Sequence, residues 1–249
     1  MNELALRLES QMRALKLKGM LGCYREVSEQ AVQGKLQYEE YLSLLLEEEL
    51  RGKTERSIRT KIHKARFPFI KTLEAFDFSF QPSLGEKEMI KLSGLEFIEK
   101  KENLIFLGPP GVGKTHLAVA FGIKACAAKY RVLFMNAQKL IEDLMLSLKE
   151  GTITSRLLAY SRLNLLIIDE LGYMPITKEE ANLLFQLVSV RYEKGSIILT
   201  SNYNFEDWGQ IFQDNVVATA IIDRMVHHAR IFYINGASYR LKDKLRKKN

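Results

Sequence analysis

The sequence predicts an α/β domain built on a parallel sheet and preceded by a small all-helical region. Three observations carry this. Five apolar runs of strand length, at 104–107, 132–135, 165–168, 197–200 and 231–234, alternate with helical segments, the pattern of parallel strands covered on both faces. A glycine-rich phosphate loop follows the first of these runs directly. Before Leu104 there is no strand pattern, only apolar residues at helical spacing.

The 249 residues are 47% hydrophobic and 27% charged, the composition of an ordinary folded protein long enough for one well-buried domain and an appendage. No run approaches the ~18 apolar residues of a membrane span. Glu3 and Arg7 mix charge into the start, which shows no apolar signal core, and Cys23 and Cys126 are the only cysteines. A cytoplasmic, membrane-free bacterial protein is expected.

In the helical region, Leu4, Leu8, Met12 and Leu15 share one face, and Tyr38, Tyr41, Leu42, Leu45 and Leu46 share another. Gly19, Gly22 and Gly34 are expected breaks. Over 56–66, Ile58, Ile62 and Ala65 form an apolar stripe beside a basic stripe of Arg56, Arg59, His63 and Arg66. Phe67-Pro68 ends that helix, because the residue before proline avoids helical ψ. Five phenylalanines between 67 and 84 predict an aromatic strap packed on a neighbouring surface, since a disordered linker carries few aromatics. The expected division is a helical domain at 1–66, a strap at 67–84 and the α/β domain at 85–249, ending in a basic tail.

The formal charge of +7 is unevenly spread. Eight basic residues against Glu55 fill 51–71, six against Asp243 fill 240–249, and the rest of the chain sums to −5. Such concentration fits a polyanion, because each neutralised phosphate releases counterions. Arg56, Arg59, Lys61, Lys64 and Arg66 are the first candidates for nucleic acid.

The chemistry starts at Gly108-Pro109-Pro110-Gly111-Val112-Gly113-Lys114-Thr115, set between a strand and the helical stretch 117–128, with His116 following the loop. Its backbone N–H groups and helix N-terminus suit phosphate oxygens. Lys114 suits the β- and γ-phosphates, and the Thr115 hydroxyl suits Mg²⁺. The run 165–168 ends in Asp169-Glu170, where Asp169 suits Mg²⁺ and Glu170 is placed to polarise an attacking water. The run 197–200 ends in Thr200-Ser201-Asn202, where Asn202 or Thr200 is placed to orient that water. Arg191, Arg224 and Arg240 are candidates for late positive charge on the phosphoryl group, and pattern alone does not rank them. His63, His116, His227 and His228 show no zinc spacing with the two cysteines, so no structural metal is expected. Asn-Lys-x-Asp is absent, which favours adenine over guanine.

These motifs, with Ala65-Arg66-Phe67-Pro68, Lys71-Thr72-Leu73-Glu74-Ala75-Phe76-Asp77-Phe78, Asp169-Glu170-Leu171-Gly172-Tyr173 and Gly236-Ala237-Ser238-Tyr239-Arg240, resemble the IstB family, helper ATPases of insertion-sequence transposition in the DnaA/DnaC-like branch of the AAA+ proteins. The resemblance covers nearly the whole chain. It implies a sheet in order 5-1-4-3-2 and ATP held between subunits of a homo-oligomer. By motif, Lys114 and Thr115 are Walker A, Asp169 and Glu170 Walker B, Asn202 sensor 1, Arg224 the trans-acting arginine and Arg240 the cis sensor-2 arginine. It also implies a DNA-touching helix near 137–156, with Lys139, Lys149 and Arg156 as candidates. A full helical lid is missing, since little chain follows Ile234. The implied function is an ATP-dependent helper that oligomerises on double-stranded DNA, hydrolyses ATP with Mg²⁺ and recruits a transposase. The alternative is a DnaC-like helicase loader on single strands. No aromatic residue interleaves the basic ones between 51 and 66, which weighs against single-strand stacking.

Overall fold

The computed structural model describes residues 3–241, so most of the basic tail lies outside the described residues. The chain divides into two compact units, one up to Thr60 and one from Lys61 onward.

The first unit contains α1 (Glu3–Ala14), α2 (Lys18–Gly34) and the greater part of α3 (Tyr38–Ala65). Met12, Tyr24, Val27 and Leu45 form its core. Leu4, Leu8, Leu15, Tyr38, Leu42 and Leu46 share the apolar faces but stay exposed, because so small a helical unit cannot cover all its apolar surface. Two of the expected breaks are not breaks: Gly19 and Gly22 lie inside α2, and only Gly34 ends a helix. Gly19 is there for close approach. A Cβ on it would stand 2.6 Å from the Glu48 carbonyl oxygen and 2.7 Å from the Glu49 Cα. The buried Glu49 carboxylate accepts from the Gly19 and Met20 amides at 2.6 and 3.1 Å, satisfying donors that the start of α2 would leave orphaned. Burial would raise the Glu49 carboxyl, but those amides, Lys53 and Arg56 outweigh it and hold it below the ordinary range.

The second unit is a five-stranded parallel sheet with helices on both faces. Its strands are β1 (Asn103–Leu107), β2 (Val132–Asn136), β3 (Leu165–Leu171), β4 (Ser196–Ser201) and β5 (Ala229–Tyr233), and its order β2-β3-β4-β1-β5 is the expected 5-1-4-3-2. All four pairings are parallel. Side chains alternate between two cores: Leu104 and Phe106 enter one, Ile105 and Leu107 the other. The helices are α4 (Glu86–Leu92), α5 (Glu96–Glu99), α6 (Lys114–Ala127), α7 (Ala137–Lys149), α8 (Ile153–Ser161), α9 (Lys178–Arg191), α10 (Trp208–Phe212) and α11 (Asn215–Val226).

The strap at 67–84 is part of this unit. Leu73, Phe76 and Leu84 are buried in the first core, and Phe67 meets Phe134 edge-on with centroids 6.3 Å apart. Ala65 and Ile62 enter the same core, which is why the compact division falls ahead of the boundary drawn at 66/67. Arg66 then leaves the helix in the left-handed conformation, φ 61°. After β5 the described residues hold only a turn of 3₁₀ helix at Tyr239–Leu241, with no lid bundle. Among the described residues no helix is long and apolar enough to cross a membrane.

Candidate functional site

The phosphate loop joins β1 to α6. Gly113 has φ 104°, and a Cβ there would stand 2.6 Å from the Phe76 ring, so the strap and the loop fit only with glycine. Lys114 opens α6 and is buried. Its ammonium donates to the carbonyls of Gly108 and Pro109, the latter at 2.8 Å, and to Asn202 Oδ1 at 2.7 Å. Burial lowers Lys114 to about 8, against the opposing pull of Asp169 and Glu170.

Asp169 sits at the carboxyl end of β3, beside β4 in the sheet. It accepts from Thr115 Oγ1 at 2.9 Å and from Thr200 Oγ1 at 2.6 Å. Burial nevertheless pushes its carboxyl above the ordinary value. Glu170, the next residue, makes the strand irregular: its φ is 59°, and the β3–β4 register shifts between Ile168 and Leu171. The Glu170 amide donates to Thr200 Oγ1 at 2.9 Å, so one hydroxyl serves both acids. The irregularity leaves Glu170 exposed while Asp169 stays buried. Thr200 therefore positions the acid pair, and Asn202 is the residue that meets Lys114.

Asn136 is a residue that sequence reasoning missed. It closes β2 opposite Asp169, and its Nδ2 donates to Glu170 Oε2 at 3.0 Å. Its Oδ1 accepts from the Gln138 amide at 3.0 Å, capping α7. An isolated asparagine carries no such signal until the β2–β3 register is known.

These groups line one cleft of about 820 Å³. Its walls include Pro110–Thr115 of the loop, Asp169, Glu170, Asn202 and Asn136, with Phe69, Phe76 and Gln81 contributed by the strap. Arg240 lines it as well. The Tyr239 amide donates to the Gly111 carbonyl at 2.9 Å, and Gln81 Nε2 donates to the Ala237 carbonyl at 3.2 Å, so the segment carrying Arg240 is stitched to loop and strap. His116 ties the strap down: its Nε2 pairs with the Thr72 carbonyl at 2.8 Å, and its ring meets Phe76 edge-on at 5.2 Å. Burial holds it below the ordinary histidine value.

The other candidates lie apart. Arg224, on α11, stacks its guanidinium 4.5 Å from the centre of the Phe185 ring and is not among the residues lining the cleft. Arg191 is fully buried, donating to the carbonyls of Tyr160 at 2.6 Å, Leu163 at 3.2 Å and Ser196 at 2.7 Å. Burial lowers it to about 10. So held, it ties α9 to the starts of β3 and β4 and is not presentable to a neighbour. Of the basic candidates, Arg66 and Lys139 line the cleft, Arg56 pairs with Glu49 at 3.2 Å, and Arg156 pairs with Asp143 at 3.3 Å. Arg59, Lys64 and Lys149 are exposed, and Lys61 is half-buried.

A nucleotide and its cation fit this donor set. A hydroxyl and a carboxylate bonded to each other beside the loop are the hard oxygen ligands that Mg²⁺ prefers. Loop, Lys114 and helix start supply the positive lining for phosphate.

This sheet order, with the loop after β1 and the acid pair on β3, defines an AAA+ P-loop ATP-binding domain. The AMPPCP-bound DnaA of Aquifex aeolicus shares the fold with TM-score 0.57 and 23% identity, over 73% of this chain and 56% of that one. The DnaC helicase loader matches with TM-score 0.51 and 25% identity, over 60% of this chain and 88% of that one. The chain belongs to the IstB-like ATP binding protein family, whose sequence model matches residues 10–247. It is 48% identical over 237 residues to the insertion sequence IS21 putative ATP-binding protein of Pseudomonas aeruginosa, covering 95% of this chain and 89% of that one. To the IS5376 putative ATP-binding protein of Geobacillus stearothermophilus it is 42% identical, over 96% and 95% of the two chains.

Proposed function

We propose that this protein is an ATPase helper of transposition. In this reading it binds Mg-ATP between subunits, assembles on double-stranded DNA and recruits a transposase. The observation that carries the shared site is the separation of the arginines. Arg240 lines the same cleft as Lys114, Asp169, Glu170 and Asn202, whereas Arg224 lies off it on α11. A neighbouring subunit supplies the missing charge most directly.

In this reading Lys114 leaves Asn202 and the loop carbonyls for the β- and γ-phosphates. Thr115 and Asp169 would hold Mg²⁺, whose charge would offset that of the phosphates. Glu170 takes the proton of the attacking water, and Asn202, released from Lys114, orients that water. The relatives are named as putative ATP-binding proteins of insertion sequences, a setting that supports DNA and a transposase as partners. The helical region, with Arg59 and Lys64 exposed on α3, supplies phosphate contacts that need no base reading.

The test is sedimentation of the purified protein with duplex or single-stranded DNA, each with and without ATP. A large complex that forms only with ATP and duplex supports the reading, and transposase binding is then measured on it. Assembly on single strands alone points instead to a helicase loader. No complex with either DNA overturns the nucleic-acid reading.

A further inference from the structure

We propose that Glu193, His227 and His228 form a binding site for a divalent transition-metal ion, with zinc the best match, separate from the nucleotide cleft. The ligand atoms of these three residues lie within 4.8 Å of one another. They come from the packed ends of two helices: Tyr192 is the C-cap of α9 and His227 the C-cap of α11. Glu193 follows its cap in the left-handed conformation, φ 57°, which turns its carboxylate back toward α11.

One ligand pair already has the spacing that a metal requires. His228 Nε2 and Glu193 Oε1 are 3.1 Å apart. Two ligands on a tetrahedral ion with bonds of about 2.0–2.1 Å are separated by roughly 3.3 Å. The two imidazole rings have centroids 4.2 Å apart, and all three side chains are exposed, so surrounding protein does not hold the rings away from a shared ion. The Tyr192 hydroxyl pairs with His227 Nδ1 at 2.6 Å. An outer partner on one ring nitrogen orients the ring and leaves the other, Nε2, as the ligand atom.

Two imidazoles and one carboxylate are the donor set of an open zinc site, with water in the fourth position. Mg²⁺ and Ca²⁺ prefer all-oxygen sets and are not served by it. Adjacent histidines have no finger-like spacing, so the group emerges only when α9 and α11 bring Glu193 to them. Arg224 stands one turn earlier on α11, so a bound metal would brace the helix end next to that arginine.

The experiment is equilibrium dialysis of the chelator-stripped full chain against Zn²⁺ in excess Mg²⁺, which keeps the Thr115–Asp169 site out of the count. One zinc per chain is expected. His227→Ala and His228→Ala should each weaken binding at least ~10-fold, while the exposed His63→Ala leaves it unchanged. Co²⁺ in place of zinc should give the visible absorption of a four-coordinate site, lost in both variants. Circular dichroism of these exposed-site variants checks that they fold. No saturable zinc binding, or wild-type binding in both variants, overturns the proposal in favour of a simple His228–Glu193 ion pair.

Discussion

The Asn136 side-chain amide holds the Glu170 carboxylate at 3.0 Å across the β2–β3 pair. The carboxylate oxygen engaged this way must leave Asn136 before it can meet the attacking water. Asn136→Ser keeps a good helix cap for α7 but is too short to reach Glu170. Basal ATP turnover should rise a few-fold with little change in KM and no loss of thermal stability. Glu170→Gln, by contrast, should keep ATP binding and lose at least ~100-fold in turnover. Steady-state kinetics on both variants check the pair, and an unchanged Asn136→Ser rate would mean that Glu170 is not restrained in solution.

Lys114 titrates near 8 because it is buried, and only its charged form suits phosphate. Below that pH the free protein already carries the proton; above it, binding must take one up. ATP affinity should fall by about one log unit per pH unit above 8, until the higher pKa of the bound state is reached. Folding has the opposite sign. Between about 8 and the ordinary lysine value the unfolded chain holds the extra proton, so the Lys114 contribution makes stability rise with pH there. ATP titrations from about pH 7 upward, with Lys114→Ala as the non-binding reference, check the first claim.

Arg224 meets the Phe185 ring on α9 and, at 3.4 Å, the Ala220 carbonyl on its own helix α11. Arg224→Ala should fold normally and lose most of its ATPase. Mixing it with Lys114→Ala should restore part of the activity, because one subunit then offers an intact cleft and the other an intact arginine. Mixtures that stay inactive would exclude a role in trans.

Arg191 is a structural arginine. Arg191→Leu removes the guanidinium from the carbonyls of Tyr160, Leu163 and Ser196 and should cost about 3 kcal/mol or more. Urea denaturation measures this. A loss below ~1 kcal/mol would mean that water replaces the guanidinium.

Charge reversal at Arg59 and Lys64 should weaken DNA binding and flatten its dependence on salt, by about one unit of slope for each phosphate no longer neutralised. Arg56 is a poor probe of the same surface, because it neutralises the buried Glu49 and its reversal would disturb the first unit. An unchanged slope in Arg59→Glu/Lys64→Glu would place the DNA path elsewhere.

The nucleotide cleft was legible because its chemistry is local. A phosphate loop must follow a strand and open a helix, and the acids must end a buried strand, so Lys114, Thr115, Asp169 and Glu170 announce themselves by neighbours in sequence. The strand order was legible only through family resemblance. Asn136 and the Thr200 bridge were hidden because they depend on cross-strand register. Arg191 was hidden because an arginine at a helix end reads as surface, and only the packing of α8, α9 and β4 turns it inward. Gly19 read as a break because sequence cannot distinguish a glycine that ends a helix from one that lets another helix come close.

The bonds from Lys114 to Gly108, Pro109 and Asn202 make the phosphate loop its own competing ligand. Whatever binds at Lys114 must displace a partner set that is already satisfied, so measured affinities include an internal competition that the ligand's own bonds do not reveal. A fragment that matches the strap wall but carries no phosphate leaves that competition intact, and it will bind beside the loop without altering it. A triphosphate displaces the set and frees the Asn202 amide in the same step. Base-site binders and phosphate-site binders should therefore be additive, and screening with nucleosides alone will underestimate what the cleft can hold.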